Sequence, residues 1–131
     1  MGYLVAIDYI TVSTPANASD FGDRTVGAAY HACTSDSSRA VWAGGEAPGA
    51  QDVIDYAEIS TPAGANDFGN LPVAKNTLSA CCDGSRGIFS GGNAGGPVDT
   101  IDFITVSTPQ NAIDFGNMTS AKHGPGSCSG D

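Results

Sequence analysis

The tripeptide Asp-Phe-Gly occurs three times, at 20–22, 67–69 and 114–116. In phosphoryl-transfer enzymes this triplet supplies a magnesium-binding carboxylate, alongside a glycine-rich loop, a strand lysine and a His-Arg-Asp segment. None of those accompanies it here. Its recurrence argues for architecture instead: Phe as packing anchor, Asp as turn cap, Gly for a positive φ. The pairs Asp20 with Asp23, Asp67 with Asn70, and Asp114 with Asn117 could offer oxygens to calcium. Calcium takes about six to eight oxygens, and this spacing is not that of an EF-hand loop. Turn capping is therefore preferred, and no metal or cofactor is expected. The glycine-rich run Ser90-Gly91-Gly92-Asn93-Ala94-Gly95-Gly96 suggests a phosphate cradle. Such a cradle should carry a lysine and open a helix; with neither in view, the run reads as a surface loop. His31 and His123 fall at unrelated points of the pattern described below. No Ser-His-Asp constellation is singular, so catalysis is not expected.

Charge and cysteine content narrow the partners. The formal charge is −9, and the only cations among 131 residues are Arg24, Arg39, Lys75, Arg86 and Lys122. A nucleic-acid binder carries a basic stripe, so neither nucleic acid nor an anionic membrane is an expected partner. No apolar run approaches the roughly 20 residues of a membrane helix, and no secretory leader pattern opens the sequence. Cys33, Cys81, Cys82 and Cys128 lack zinc-site spacing. Cys81 and Cys128 occupy equivalent places and read as small buried apolar residues.

A shift of 47 residues lays the chain on itself: Ile7 falls on Ile54 and Ile101. Between 7–22 and 101–116, 13 of 16 residues are identical without a gap. Such a period marks a repeat architecture. One repeat domain over 1–131 is expected, with units of about 1–47, 48–94 and 95–131, the last one short. Within a unit, Val41-Trp42-Ala43-Gly44-Gly45 and Ile88-Phe89-Ser90-Gly91-Gly92 read as buried strands ending in glycine pairs. Loops Glu46–Asp52 and Asn93–Asp99 follow, each with Pro and Gly. The run Ile7-Asp8-Tyr9-Ile10-Thr11-Val12 and its copies, rich in β-branched and aromatic residues, give a second strand. Asp-Phe-Gly makes a short element, and Leu71–Cys81 an extended lead into a further strand. Each unit thus holds about four short strands, and the fold class is all-β. Ile7 and Tyr9 point one way, Ile10 and Val12 the other. A strand apolar on both faces needs a sheet packed on each side.

These motifs resemble the kelch repeat of β-propellers. Gly44-Gly45 and Gly91-Gly92 match its glycine pair. Asp8-Tyr9, Asp55-Tyr56 and Asp102-Phe103 match its acidic–aromatic strand. Phe21, Phe68 and Phe115 stand where the family usually has Trp, and Leu71-Pro72-Val73-Ala74-Lys75 resembles the lead into its innermost strand, with Lys for the usual Arg. The resemblance implies tandem 47-residue, four-stranded blades of a kelch-like propeller. Its packing anchors would be Ile7, Tyr9, Phe21, Gly44, Gly45, Ile54, Tyr56, Phe68, Gly91, Gly92, Ile101, Phe103 and Phe115. The wording of the repeat is also similar to that of repeats in phage tail-fibre and other structural proteins. This implies an adhesive role on a virion surface or outside the cell.

Three full units would need 141 residues against the 131 present. Propellers close with about four to eight blades. The expectation is a partial ring, continued by the rest of a longer chain or completed by homo-oligomerisation. Side chains that break the repeat, or sit in the loops, are the candidate ligand contacts: Tyr30, His31, Trp42, Glu46, Asp52, Asn93 and Asp99. Aromatics stack on sugars and anchor interfaces, so a glycan or surface protein is the expected ligand. The alternative is a purely structural fibre or filament subunit.

Overall fold

The structure, a computed structural model, describes residues 2–129; the expected unit limits at Met1 and Asp131 lie outside them. The described residues form ten strands and no helix, in three antiparallel sheets. The first sheet pairs β1 (Ala6–Tyr9) with β2 (Ser19–Asp23). The second runs in sequence order through β3 (Ala32–Ser35), β4 (Arg39–Ala43), β5 (Val53–Glu58) and β6 (Asn66–Asn70). The third repeats that order with β7 (Ser79–Cys82), β8 (Arg86–Ser90), β9 (Val98–Thr105) and β10 (Ile113–Lys122). The repeat is therefore structural: β3, β4 and β6 each begin 47 residues before β7, β8 and β10, and β1–β2 correspond to β5–β6. Among the described residues the sheets do not close on themselves.

The two faces of the second strand of each repeat account for the layering. On β9, Asp102 and Ile104 are buried, and Thr100 and Asp102 meet Lys75 from the preceding repeat. On β5, Ile54 and the half-buried Tyr56 belong instead to the cluster shared with the third sheet, with Phe68, Phe89, Ile104 and Val106. Strand contact between sheets runs from β3 to β7 and β8. Three T-shaped aromatic pairs recur in register: Tyr9–Phe21 at 5.7 Å, Tyr56–Phe68 at 5.7 Å and Phe103–Phe115 at 5.9 Å. Edge-to-face contact suits the ring quadrupoles, which is why the anchor is aromatic in every copy.

The glycine pair has a steric cause. Gly44 and Gly91 take φ of 65° and 63°, and Gly45 and Gly92 take 111° and 110°. A Cβ on Gly44 would stand 2.5 Å from the Lys75 carbonyl oxygen. Gly45 N–H donates to that oxygen at 3.0 Å, and Gly92 N–H to the Lys122 oxygen at 2.9 Å.

Three expectations need correction. Asp-Phe-Gly lies inside the outermost strand rather than at a turn. Its glycine, at φ near 141° in Gly22, makes a bulge, and the Asp20 carboxylate accepts the Gly22 N–H at 3.1 Å. The lead-in at Leu71–Cys81 does pass into a strand, β7 from Ser79, and before it the chain is irregular because Lys75 turns inward and Thr77 adopts φ 50°. Asp99 belongs to β9, not to a loop. Cys81 is half-buried and Cys128 exposed, since the segment carrying Cys128 has no further sheet over it among the described residues.

Candidate functional site

Two kinds of connection meet on one rim of the sheets. One follows each glycine pair; the other leads from the outermost strand of one sheet to the innermost strand of the next. Backbone bridges tie them: Ala29 with Glu46 at 3.0 and 2.8 Å, and Asn76 with Asn93 at 3.1 and 2.8 Å. Equivalent residues of successive repeats are also joined directly. Thr77 N–H donates to the Tyr30 carbonyl at 2.9 Å, and Gly124 N–H to the Thr77 carbonyl at 2.7 Å.

Tyr30 sits on this rim with its side chain out; the residue is 66% exposed and its φ is 56°. Thr77 and Gly124 share the positive φ. A left-handed conformation is uncommon for Tyr and a genuine outlier for β-branched Thr, and such strain concentrates at functional positions. His31 follows, with Nδ1 3.2 Å from the Ala28 carbonyl oxygen. Burial, then the positive charge of Arg24, pushes its pKa below the ordinary histidine value. The Glu46 carboxylate accepts a hydrogen bond from Asn76 Nδ2 at 3.0 Å, and the Asn93 side-chain oxygen is buried without a partner among the described residues. Tyr30, His31, Glu46 and Asn93 are thus brought onto one polar track, with Asn76 and Thr77 as members that the sequence reading did not single out.

The other candidates lie elsewhere. The Asp52 carbonyl accepts the Leu71 N–H at 2.7 Å, and the Asp99 carboxylate accepts from Asn117 Nδ2 at 2.9 Å. The first is a backbone contact just past β6 and the second a side-chain contact to β10, and both hold structure. Trp42 is half-buried on β4 and borders an apolar cleft of about 170 Å³ between the first and second sheets, opposite Ile7, Tyr9 and Phe21.

Behind the rim lie two buried ion pairs. Arg24 Nε meets Asp55 Oδ2 at 3.1 Å, and Thr25 Oγ1 donates to the other oxygen of that carboxylate. Lys75 Nζ meets Asp102 Oδ2 at 2.7 Å and Thr100 Oγ1 at 3.0 Å. Burial lowers the Arg24 pKa against the pull of Asp55, and its two terminal nitrogens have no partner among the described residues. The signal was present in the sequence: an aspartate recurs inside an apolar strand, and a buried charge requires a counter-charge.

Of the acidic residues named above as possible calcium ligands, Asp20 and Asp114 each accept an N–H from the glycine two residues on. Among the described residues no three His, Cys, Asp or Glu side chains converge. No protein-family model matches the chain, and no curated protein is significantly similar to it.

Proposed function

We propose that the chain is a non-enzymatic binding module of kelch-like propeller type, which presents its rim to a glycan or surface protein in an adhesive, virion-surface or extracellular setting. The observation that carries this reading is the convergence of Tyr30, His31, Glu46, Asn76 and Asn93 from different repeats on one rim. An exposed aromatic beside amide and carboxylate groups suits a sugar: the ring stacks on its apolar face while the polar groups take its hydroxyls. The four-stranded meanders at a 47-residue spacing support the blade reading, with β3 and β7 innermost. A glycan array is the direct experiment. Tyr30→Ala should abolish any captured signal while Ile113→Ala, on an exposed side chain at the start of β10 and away from the rim, leaves it unchanged. Equal loss in both variants, or no captured glycan or surface protein at all, defeats the reading.

A second reading, a structural subunit assembled by blade packing, is favoured by one observation. Both ends carry exposed apolar side chains, among them Ile10 and Val12 just past β1 at one end and Phe115 on β10 at the other.

A further inference from the structure

The contacts between the second and third sheets form a set, and each half of that set recurs unpartnered at an end of the molecule. Lys75 reaches forward from its repeat to the next repeat's Asp102. The residue equivalent to Lys75 at the far end is Lys122. Its backbone is held in the same way, its carbonyl oxygen receiving Gly92 N–H as that of Lys75 receives Gly45 N–H. Yet Lys122 is exposed and makes no ion pair among the described residues. At the near end, the equivalent of Asp102 and Asp55 is Asp8, also exposed and also without an ion pair among the described residues. One end therefore offers a cation and the other a carboxylate, each placed as in a pair that is buried inside the molecule.

The outer strands carry an independent match. Gly69, in β6, leaves room for the next sheet's loop: a Cβ there would stand 2.5 Å from the Gln110 carbonyl oxygen. Beside it, Asn70 N–H donates to Asn111 Oδ1 at 3.0 Å, and the Asn70 carbonyl accepts Ala112 N–H at 2.9 Å. The equivalent glycine at the far end, Gly116, has the same φ, 142°, and nothing within 4 Å of where its Cβ would be. The equivalent of Asn111 at the near end is Asn17, on a fully exposed loop. The apolar surfaces agree in the same register, Phe115 at one end and Ile10 and Val12 at the other standing where Phe68, Ile104 and Val106 bury one another inside.

We infer that a second copy of this chain docks head to tail on the far end. Its Asp8 meets Lys122, its Asn17 accepts the Asn117 N–H beside Gly116, and its Ile10 and Val12 cover Phe115. The contact is heterologous, so it yields a ring where the rotation closes and a filament where it does not. It gives the assembly reading a partner and a register, and it does not depend on what the rim binds.

Sedimentation velocity at about 0.15 M salt, which screens repulsion between acidic copies, tests it. The wild-type chain should form particles larger than a monomer. Asp8→Lys and Lys122→Asp should each weaken association roughly a hundredfold, since each opposes like charges in a contact otherwise buried. Both positions are exposed, so circular dichroism should show unchanged β content. An equimolar mixture of the two variants should recover the large particles, because every head-to-tail junction again has opposite charges. Asn17→Ala should weaken association without touching either charge. A wild-type monomer at millimolar concentration overturns both this contact and the assembly reading. Assembly unaffected by either reversal, or not recovered on mixing, overturns this contact alone.

Discussion

Between the second and third sheets, Phe89, Ile104 and Val106 are all but completely buried, and the aromatic pair they cover, Tyr56–Phe68, is closed in. At the equivalent place between the first and second sheets, Trp42, Ala57 and Ile59 border an open cleft, and Tyr9 remains 41% exposed. The backbone plan and the ring pair are the same in both junctions. Two of their differences account for the opening. Ala57 stands where Ile104 supplies a larger side chain, and the first sheet has two strands among the described residues rather than four. The outer strands alone set the register of a junction; the inner strand and one branched side chain fill it.

The largest effect should come from the ion pair in the filled junction. Asp102→Ala leaves Lys75 charged and enclosed, and should cost about 3–5 kcal/mol in a urea titration. A loss below about 1 kcal/mol would mean that Lys75 escapes to water, against its burial. Next, Phe89→Ala should cost about 3–5 kcal/mol, whereas Trp42→Ala, already facing a cleft, should cost less than about half as much. Equal losses would show that the two junctions are packed alike. Ala57→Ile copies the filled junction into the open one, with an expected gain of up to about 1 kcal/mol from apolar burial. A lower melting temperature would mean that the cleft does not admit the branch.

The smallest effect concerns the rim. Because burial and Arg24 depress the His31 pKa, the folded chain binds that proton less readily than the unfolded chain. Stability is complete above the unfolded value of about 6.5 and declines as the pH falls through it. The urea midpoint should drop slightly between neutral and mildly acid pH. His31→Gln should flatten that slope, and an unchanged slope would place the titration elsewhere.

The strands were legible because the repeat presents each one two or three times in slightly different words. Asp-Tyr at 55–56 and Asp-Phe at 102–103 cannot both be accidents, and the glycine pair announces its own backbone. The ion pairs were harder to see. The two cations occupy different places in the repeat: Arg24 is equivalent to Leu71, while Lys75 is equivalent to Ala28. A shift of 47 thus aligns the acceptors and scatters the donors. Only folding shows that the lead-in segment has room for a cation at either place. The rim was half legible. Tyr30 and His31 stood out as departures from the pattern, but Asn76 and Thr77 carry ordinary polar side chains. Their importance comes from backbone bridges that leave no mark in composition.

Strand contact between sheets passes from β3 to β7 and β8, neighbour to neighbour. A chain coupled in that way is a one-dimensional cooperative array, in which each unit's persistence depends on its flanks. Amide protons in β1 and β2 should therefore exchange with solvent through frequent local opening, and those in β4, β5 and β8 only through rarer, more global events. Inserting one further 47-residue unit should raise the free energy of unfolding by a fixed increment, the sum of one unit's own stability and one junction's coupling.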